Sequence, residues 1–238
     1  MRLGIMQPYF FPYLGYFDLI HRVDRWIVFD TAQYIRHGWV NRNRILHPSE
    51  GWQYIIVPLV KHRREAAIKD VEVKDPSEWR ARVFGQIMHY NRHAPFFRQT
   101  YQLVEECLEA DERSLARLNT RILARVCAYL GIAFDHAAFS EMALPLGQVE
   151  GPGDWALRIC EAAKADEYLN PPGGEELFDP AKFAAAGIRL RIQEPVEFSY
   201  ECPGYKFESN LSVIDVLMWN SAEKVKTYLD SHRAAAAN

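Results

Sequence analysis

Three stretches of the chain gather side chains of the kinds that bind or transform small molecules. The first is Gln7-Pro8-Tyr9-Phe10-Phe11-Pro12-Tyr13-Leu14-Gly15-Tyr16. Pro8 and Pro12 stiffen the backbone, and Gly15 allows a close approach to the main chain. Tyr9, Tyr13 and Tyr16 carry hydroxyls on rigid apolar rings, which suits a pocket that must both stack and hydrogen-bond. Gln7 adds an amide at the loop entrance. An aromatic cluster sealing a sheet edge is the alternative, and the place of the loop after an apolar strand favours the pocket.

The second stretch is Asp30 to Arg44, DTAQYIRHGWVNRNR. Asp30 closes an apolar run, where a carboxylate can position an amine or accept its proton. Gln33 and Trp39 are candidate crevice contacts. In an extended chain Asn41 and Asn43 share one face, and Arg42 and Arg44 the other. Arginine offers a forked set of donors to carboxylate or phosphate. A solvated basic loop is the plain alternative. The adjacent Trp39 and the position after a strand favour ligand contact. The third stretch is Asn210-Leu211-Ser212-Val213-Ile214-Asp215. Ser212 and Asp215 are candidate ligand contacts there, although helix capping by Asn210 or Ser209 explains much of the pattern. The turn Tyr168-Leu169-Asn170-Pro171-Pro172-Gly173-Gly174 either lies against a ligand or is a plain turn.

Several chemistries lack their signatures. No G-x-x-x-x-G-K-[ST], G-x-G-x-x-G or G-x-S-x-G run occurs, so any nucleotide phosphates must be held by another device. His89 and His93 straddle a helix end, and no metal site is expected beyond Mg²⁺ travelling with a nucleotide. Cys107, Cys127, Cys160 and Cys202 form no C-x-x-C pair and read as inert thiols of a cytoplasmic protein. The net charge of −3 hides an uneven spread: residues 1–100 carry +6 and residues 101–238 carry −9. A basic N-terminal part in an acidic chain points to a small anionic ligand, not to nucleic acid. The apolar runs Leu14–Ile20 and Ile55–Val60 are too short to span a membrane, and Met1–Met6 lacks the apolar core of a signal peptide.

The elements that must hold these residues follow from periodicity. Arg2–Met6 and Trp26–Phe29 read as short buried strands around a helix over Leu14–His21, which suggests a βαβ unit and a parallel sheet. Such units place ligands past the carboxyl ends of strands, here Gln7–Tyr13 and Asp30–Gln33, so Gln7, Tyr13 and Asp30 are expected in one crevice. Tyr54–Leu59 reads as a third strand and Ile68–Val73 as a possible fourth. Helices follow over Pro76–Tyr90, Ala94–Leu108 and Ser114–Leu130, the last stopped by Gly131. A strand is expected near Phe139, a helix over Asp154–Lys164, and a strand over Glu167–Leu169. A short helix from Asp179 to Ala186 precedes a strand over Ile188–Ile192. Helices over Leu211–Trp219 and Ala222–Leu229 close the pattern, with a frayed tail over His232–Asn238. The expectation is one α/β domain over 1–238: a strand-rich, site-bearing part over 1–75 and a mainly helical part with short strands over 76–238.

The chain resembles the WbqC-like proteins. The resemblance rests on MQPYFFPYLGYFDLI, VFDTAQY and WVNRNRI, and continues through Trp52 to Pro58, NRHAPFF, YLNPPGG and LSVIDVL. It implies a role in bacterial O-antigen or related surface-polysaccharide synthesis, as a transferase or ligase adding glycine or another acyl group to an amino sugar. A second resemblance, of Tyr13-Leu14-Gly15-Tyr16 to the H-x-G-H signature, links the chain to the nucleotidylyltransferase and pantothenate-synthetase-like superfamily. It implies a Rossmann-like, parallel-sheet α/β core with additional helices. Tyr13 and Tyr16 replace the two histidines that would meet nucleotide phosphates, so Arg42 and Arg44 are the expected substitutes. ATP or a nucleotide-linked sugar is the implied ligand. The alternative is an accessory protein that holds a nucleotide sugar without chemistry.

Overall fold

The computed structural model describes residues 1–235; the end of the tail expected to fray, 236–238, lies outside the described residues. Five strands form an all-parallel sheet: β1 (Arg2–Met6), β2 (Arg25–Val28), β5 (His136–Ala138), β6 (Glu167–Asn170) and β7 (Arg189–Ile192). Their order is β5-β2-β1-β6-β7. The chain steps from β1 outward through β2 to β5, then returns to place β6 on the other side of β1. Strand order therefore reverses between β1 and β6. The result is the Rossmann-like α/β sheet that the sequence implies.

Alternation along the strands feeds two cores. Leu3, Ile5, Ile27 and Tyr168 pack with α5 (Asp154–Ala162) and α6 (Pro180–Ala185). Trp26, Val28 and Leu169 face the larger core, shared with α1 (Leu14–His21) and α4 (Leu115–Leu130). Gly4 makes room for this arrangement. A Cβ there would stand 2.8 Å from the ring of Trp26 on the neighbouring strand.

The third expected strand is real but belongs elsewhere. β3 (Arg42–Leu46) and β4 (Trp52–Ile56) form a separate antiparallel hairpin. Arg42-Asn43-Arg44 reads as a polar loop in sequence, yet Asn43 and Ile45 turn into the core and the two arginines turn out. Ile68–Val73 is not a strand: Ile68–Asp70 is a 3₁₀ turn.

The helices follow their caps. Asp75 accepts from the backbone N–H of Ser77 and starts α2 (Pro76–Ile87). Met88–Arg92 tightens to 3₁₀, so α2 ends earlier than its apolar pattern suggests. α3 (Phe97–Leu108) begins three residues later than expected. Ser114 caps α4, and Gly131 ends it at φ +66°. Ser212, not Asn210 or Ser209, caps α7 (Val213–Trp219). α8 (Ala222–Ala235) runs through most of the stretch expected to fray, because Tyr228 and Leu229 pack onto the core. Among the described residues no helix is long and apolar enough to cross a membrane.

Candidate functional site

A cavity of about 670 Å³ opens at the reversal of strand order. The β1–α1 loop supplies Tyr9 and Tyr13, the first turn of α1 supplies Leu14 and Gly15, and the turn after β6 supplies Pro172. Ligands of open α/β sheets bind at such reversals, outside the carboxyl ends of the strands. The remaining wall comes from Trp39, from Asn43 and Arg44 of β3, and from the irregular stretch between β7 and α7, including Phe198, Tyr200 and Phe207.

The β1–α1 loop owes its shape to side chains from distant parts of the chain. The Asn43 amide donates to the carbonyls of Phe10 (3.1 Å) and Phe11 (2.9 Å). The Ser212 hydroxyl also donates to the Phe11 carbonyl, at 2.8 Å. Asn119 on α4 donates to the Pro8 carbonyl at 2.9 Å. Leaving one of these buried carbonyls unpaired would cost about 1–3 kcal/mol. The clamp holds Phe11 at φ +40°, a strained backbone for a bulky residue.

Two features make the cavity attractive to an anion. No side chain caps the first turn of α1, and that turn carries no acid. The Tyr16 N–H is taken by the Tyr13 carbonyl at 3.1 Å, and the helix dipole favours negative charge at this end. The Tyr13 ring lies across Gly15, where a Cβ would be 2.5 Å from it. The second feature is Arg44. Its guanidinium carbon stands 5.4 Å from the Trp39 ring centre and 5.1 Å from that of Trp52. It donates to the Asn210 carbonyl at 3.3 Å, and its buried Nε has no partner. The wall also carries Glu197 and Glu208, whose carboxylates have no partner among the described residues.

The structure brings together Tyr9, Tyr13, Trp39, Asn43 and Arg44 of the expected site residues. Burial raises the phenol pKa of both Tyr9 and Tyr13, so they act as neutral donors near pH 7. Asn43 reaches the wall with its amide already committed to the loop. Tyr16 is buried beneath, and its hydroxyl donates to the Gln7 carbonyl at 2.7 Å.

The expectation that Gln7, Tyr13 and Asp30 share one crevice needs correction. Neither Gln7 nor Asp30 lines the cavity. Asp30 borders a separate hollow past β2 and β5, with Lys69, Arg117 and Ser140. There it accepts from the backbone N–H and the hydroxyl of Ser140, at 3.0 and 2.5 Å. The physical reason is strand order: β6, not β2, borders the crevice at the reversal. Gln33 is exposed and donates to the Arg64 carbonyl at 3.0 Å. Asn41 bonds Tyr34 and the Val57 carbonyl. Arg42 stacks on Tyr54 at 4.1 Å and donates to the carbonyls of His37 and Gly38.

Ser212 serves the loop and its own helix. Asp215 is fully buried behind the wall, where it accepts from the hydroxyls of Tyr90 and Tyr200, the latter at 2.6 Å. Burial pushes its carboxyl up to about 6, and the two hydroxyls oppose that rise. Sequence reasoning missed Tyr200, Phe198, Phe207, Glu197 and Glu208. One signal was available: an aromatic-rich stretch of about 20 residues between strand and helix with no periodicity. Connections of that length without secondary structure are uncommon in a folded domain, and those that are not linkers are usually functional. None of the four cysteines lines the cavity, and burial pushes the Cys107, Cys160 and Cys202 thiols up to about 12.

A five-stranded parallel sheet with helices on both faces and an open cavity at the strand reversal defines a Rossmann-like α/β protein. Within that class the chain belongs to the WbqC-like protein family, which it matches over residues 7–227. It is also 32% identical over 241 residues to Rv1507c of Mycobacterium tuberculosis, spanning 96% of this chain and 97% of that one. That relative is described only as an uncharacterized protein. No solved structure matches the chain.

Proposed function

We propose that the cavity binds a nucleotide-linked amino sugar and that the protein is a cytoplasmic transferase or ligase of surface-polysaccharide synthesis. In this reading it adds glycine or another acyl group to the sugar amine. One observation carries the proposal: an uncapped helix start, Arg44 and aromatic walls converge on one cavity at the strand reversal. The diphosphate meets the α1 N-terminus and Arg44, while base and sugar stack on Tyr9, Tyr13, Phe198 and Phe207. Amide formation joins the amine nitrogen to the acyl carbon; the acyl leaving group departs with its electron pair, and a base takes the nitrogen's proton. Glu208 replaces Asp30 as the preferred base, because it is on the wall and unpartnered.

A second reading, a protein that holds a nucleotide sugar without chemistry, draws on a specific observation. The cavity wall carries no Cys, His or Lys, so it has no recognisable nucleophile–base pair. Calorimetric titration with ATP, UDP-glucosamine, whose sugar amine is free, and glycine, followed by mass spectrometry of the mixture, separates the readings. A sugar heavier by one acyl group supports the transferase. Binding without product supports the holder, and no heat from any nucleotide overturns both.

A further inference from the structure

The hairpin β3–β4 buries one face and leaves the other uncovered. Asn43, Ile45 and Ile55 turn inward, whereas Trp52 and Ile56 remain 39% and 43% exposed. The open face alternates rings and cations. The Trp52 and Tyr54 ring centres are 4.9 Å apart at 72°. Arg42 lies over Tyr54, and Arg44 stands between Trp39 and Trp52. The outward positions 42, 44, 52, 54 and 56 hold no carboxylate, and Leu46 at the end of the row is buried.

This run begins at the cavity mouth, because Trp39 and Arg44 are also part of the cavity wall. Both arginines are held by backbone carbonyls, and each keeps donors free. Arg42 uses Nε and Nη2 on Gly38 and His37, leaving Nη1; Arg44 uses Nη2 on Asn210.

We propose that this face is a saccharide subsite continuous with the cavity, taking acidic sugar units that extend from the sugar bound inside. The inference rests on the sugar-nucleotide reading of the cavity. Pyranose rings present flat C–H faces that stack on exposed indole and phenol rings. Their hydroxyl and carboxylate oxygens accept from guanidinium donors. Two cations held against aromatic rings interrupt the apolar surface, which suits acidic sugars better than acyl chains.

Tryptophan fluorescence of the full chain tests this with four probes: a hyaluronan hexasaccharide, chitohexaose, octauridylate and phosphatidylglycerol vesicles. The hyaluronan hexasaccharide should bind more tightly than the other three. Trp52→Ala should weaken it about five-fold or more, as expected for loss of one stacked ring. Equal affinity in wild type and Trp52→Ala overturns the proposal. Tighter binding of octauridylate or vesicles also overturns it, in favour of a nucleic acid or a membrane surface. UDP alone probes the cavity. If UDP binds and no saccharide does, the subsite falls and the cavity reading stands. If saccharide binding is Trp52-dependent and UDP does not bind, the subsite stands and the cavity reading falls.

Discussion

On the β2 side of β1 the polar groups satisfy one another, whereas on the β6 side several are left free. Past β2, Asp30 is taken by Ser140, Lys69 pairs with Asp70, and Arg117 pairs with Glu112. Past β6, Arg44 keeps spare donors, Glu197 and Glu208 lack partners, and α1 begins without a cap. Both regions follow the carboxyl ends of parallel strands. Following a strand is therefore not sufficient to make a site. The reversal of strand order spreads the connections apart and leaves polar groups pointing into open space.

The largest expected effect concerns the carboxyl behind the open side. The folded protein raises Asp215 from 3.8 to about 6, so it holds a proton that the unfolded chain has already lost between those values. The resulting stabilisation is fully present below pH ~4 and is lost as pH rises through 6, about 3 kcal/mol in all. Urea unfolding of wild type and Asp215→Asn should therefore show wild type losing that much relative to the variant between pH 4 and pH 7. A difference that does not change with pH would break the assignment.

Arg44→Ala should weaken UDP-N-acetylglucosamine binding by about 1–3 kcal/mol, the range for a hydrogen bond to a charged group. Arg42→Ala should change it by less than about 0.5 kcal/mol, as for a substitution away from the site. Calorimetry with the order reversed would move the anion site out of the cavity. Tyr13→Phe should cost about 0.5–1.5 kcal/mol of that affinity. Tyr16→Phe should leave affinity alone and lower stability by about 1 kcal/mol through its lost bond to the Gln7 carbonyl. Asp30→Asn, like Tyr16→Phe, should change stability only; a measurable loss of nucleotide affinity there would rejoin the two crevices.

Much of the frame was legible in the sequence, because local chemistry decides it. The LGIM run, the apolar spacing of Leu115 to Leu130, and the stops at Gly131 and Gly187 act within a few residues of themselves. Strand order is not local. Nothing in Glu167–Asn170 states that it will pair with β1 and shift the crevice to its side. Arg42-Asn43-Arg44 looks polar because only its alternate residue is buried, and that burial depends on the loop carbonyls it meets. The segment 193–212 has no period, so the wall carrying Tyr200 and Phe207 shows in the sequence only through its length and its aromatic content.

The clamp on the β1–α1 loop bears on the order of assembly. Phe11 is held in a strained backbone by Asn43 and Ser212, and the Pro12 carbonyl accepts from the backbone N–H of Val213 at 2.9 Å. A chain emerging from a ribosome releases this loop almost at once, and Asn43 and Asn119 follow, yet the clamp is incomplete until Ser212 and Val213 appear. Released fragments ending before Ser212 should leave the tyrosines of the loop open to protease, and fragments that include the whole of the last two helices should protect them. The stretch that is translated among the first is thus among the last to take its shape, so cavity-binding capacity reports completed folding of nearly the entire chain.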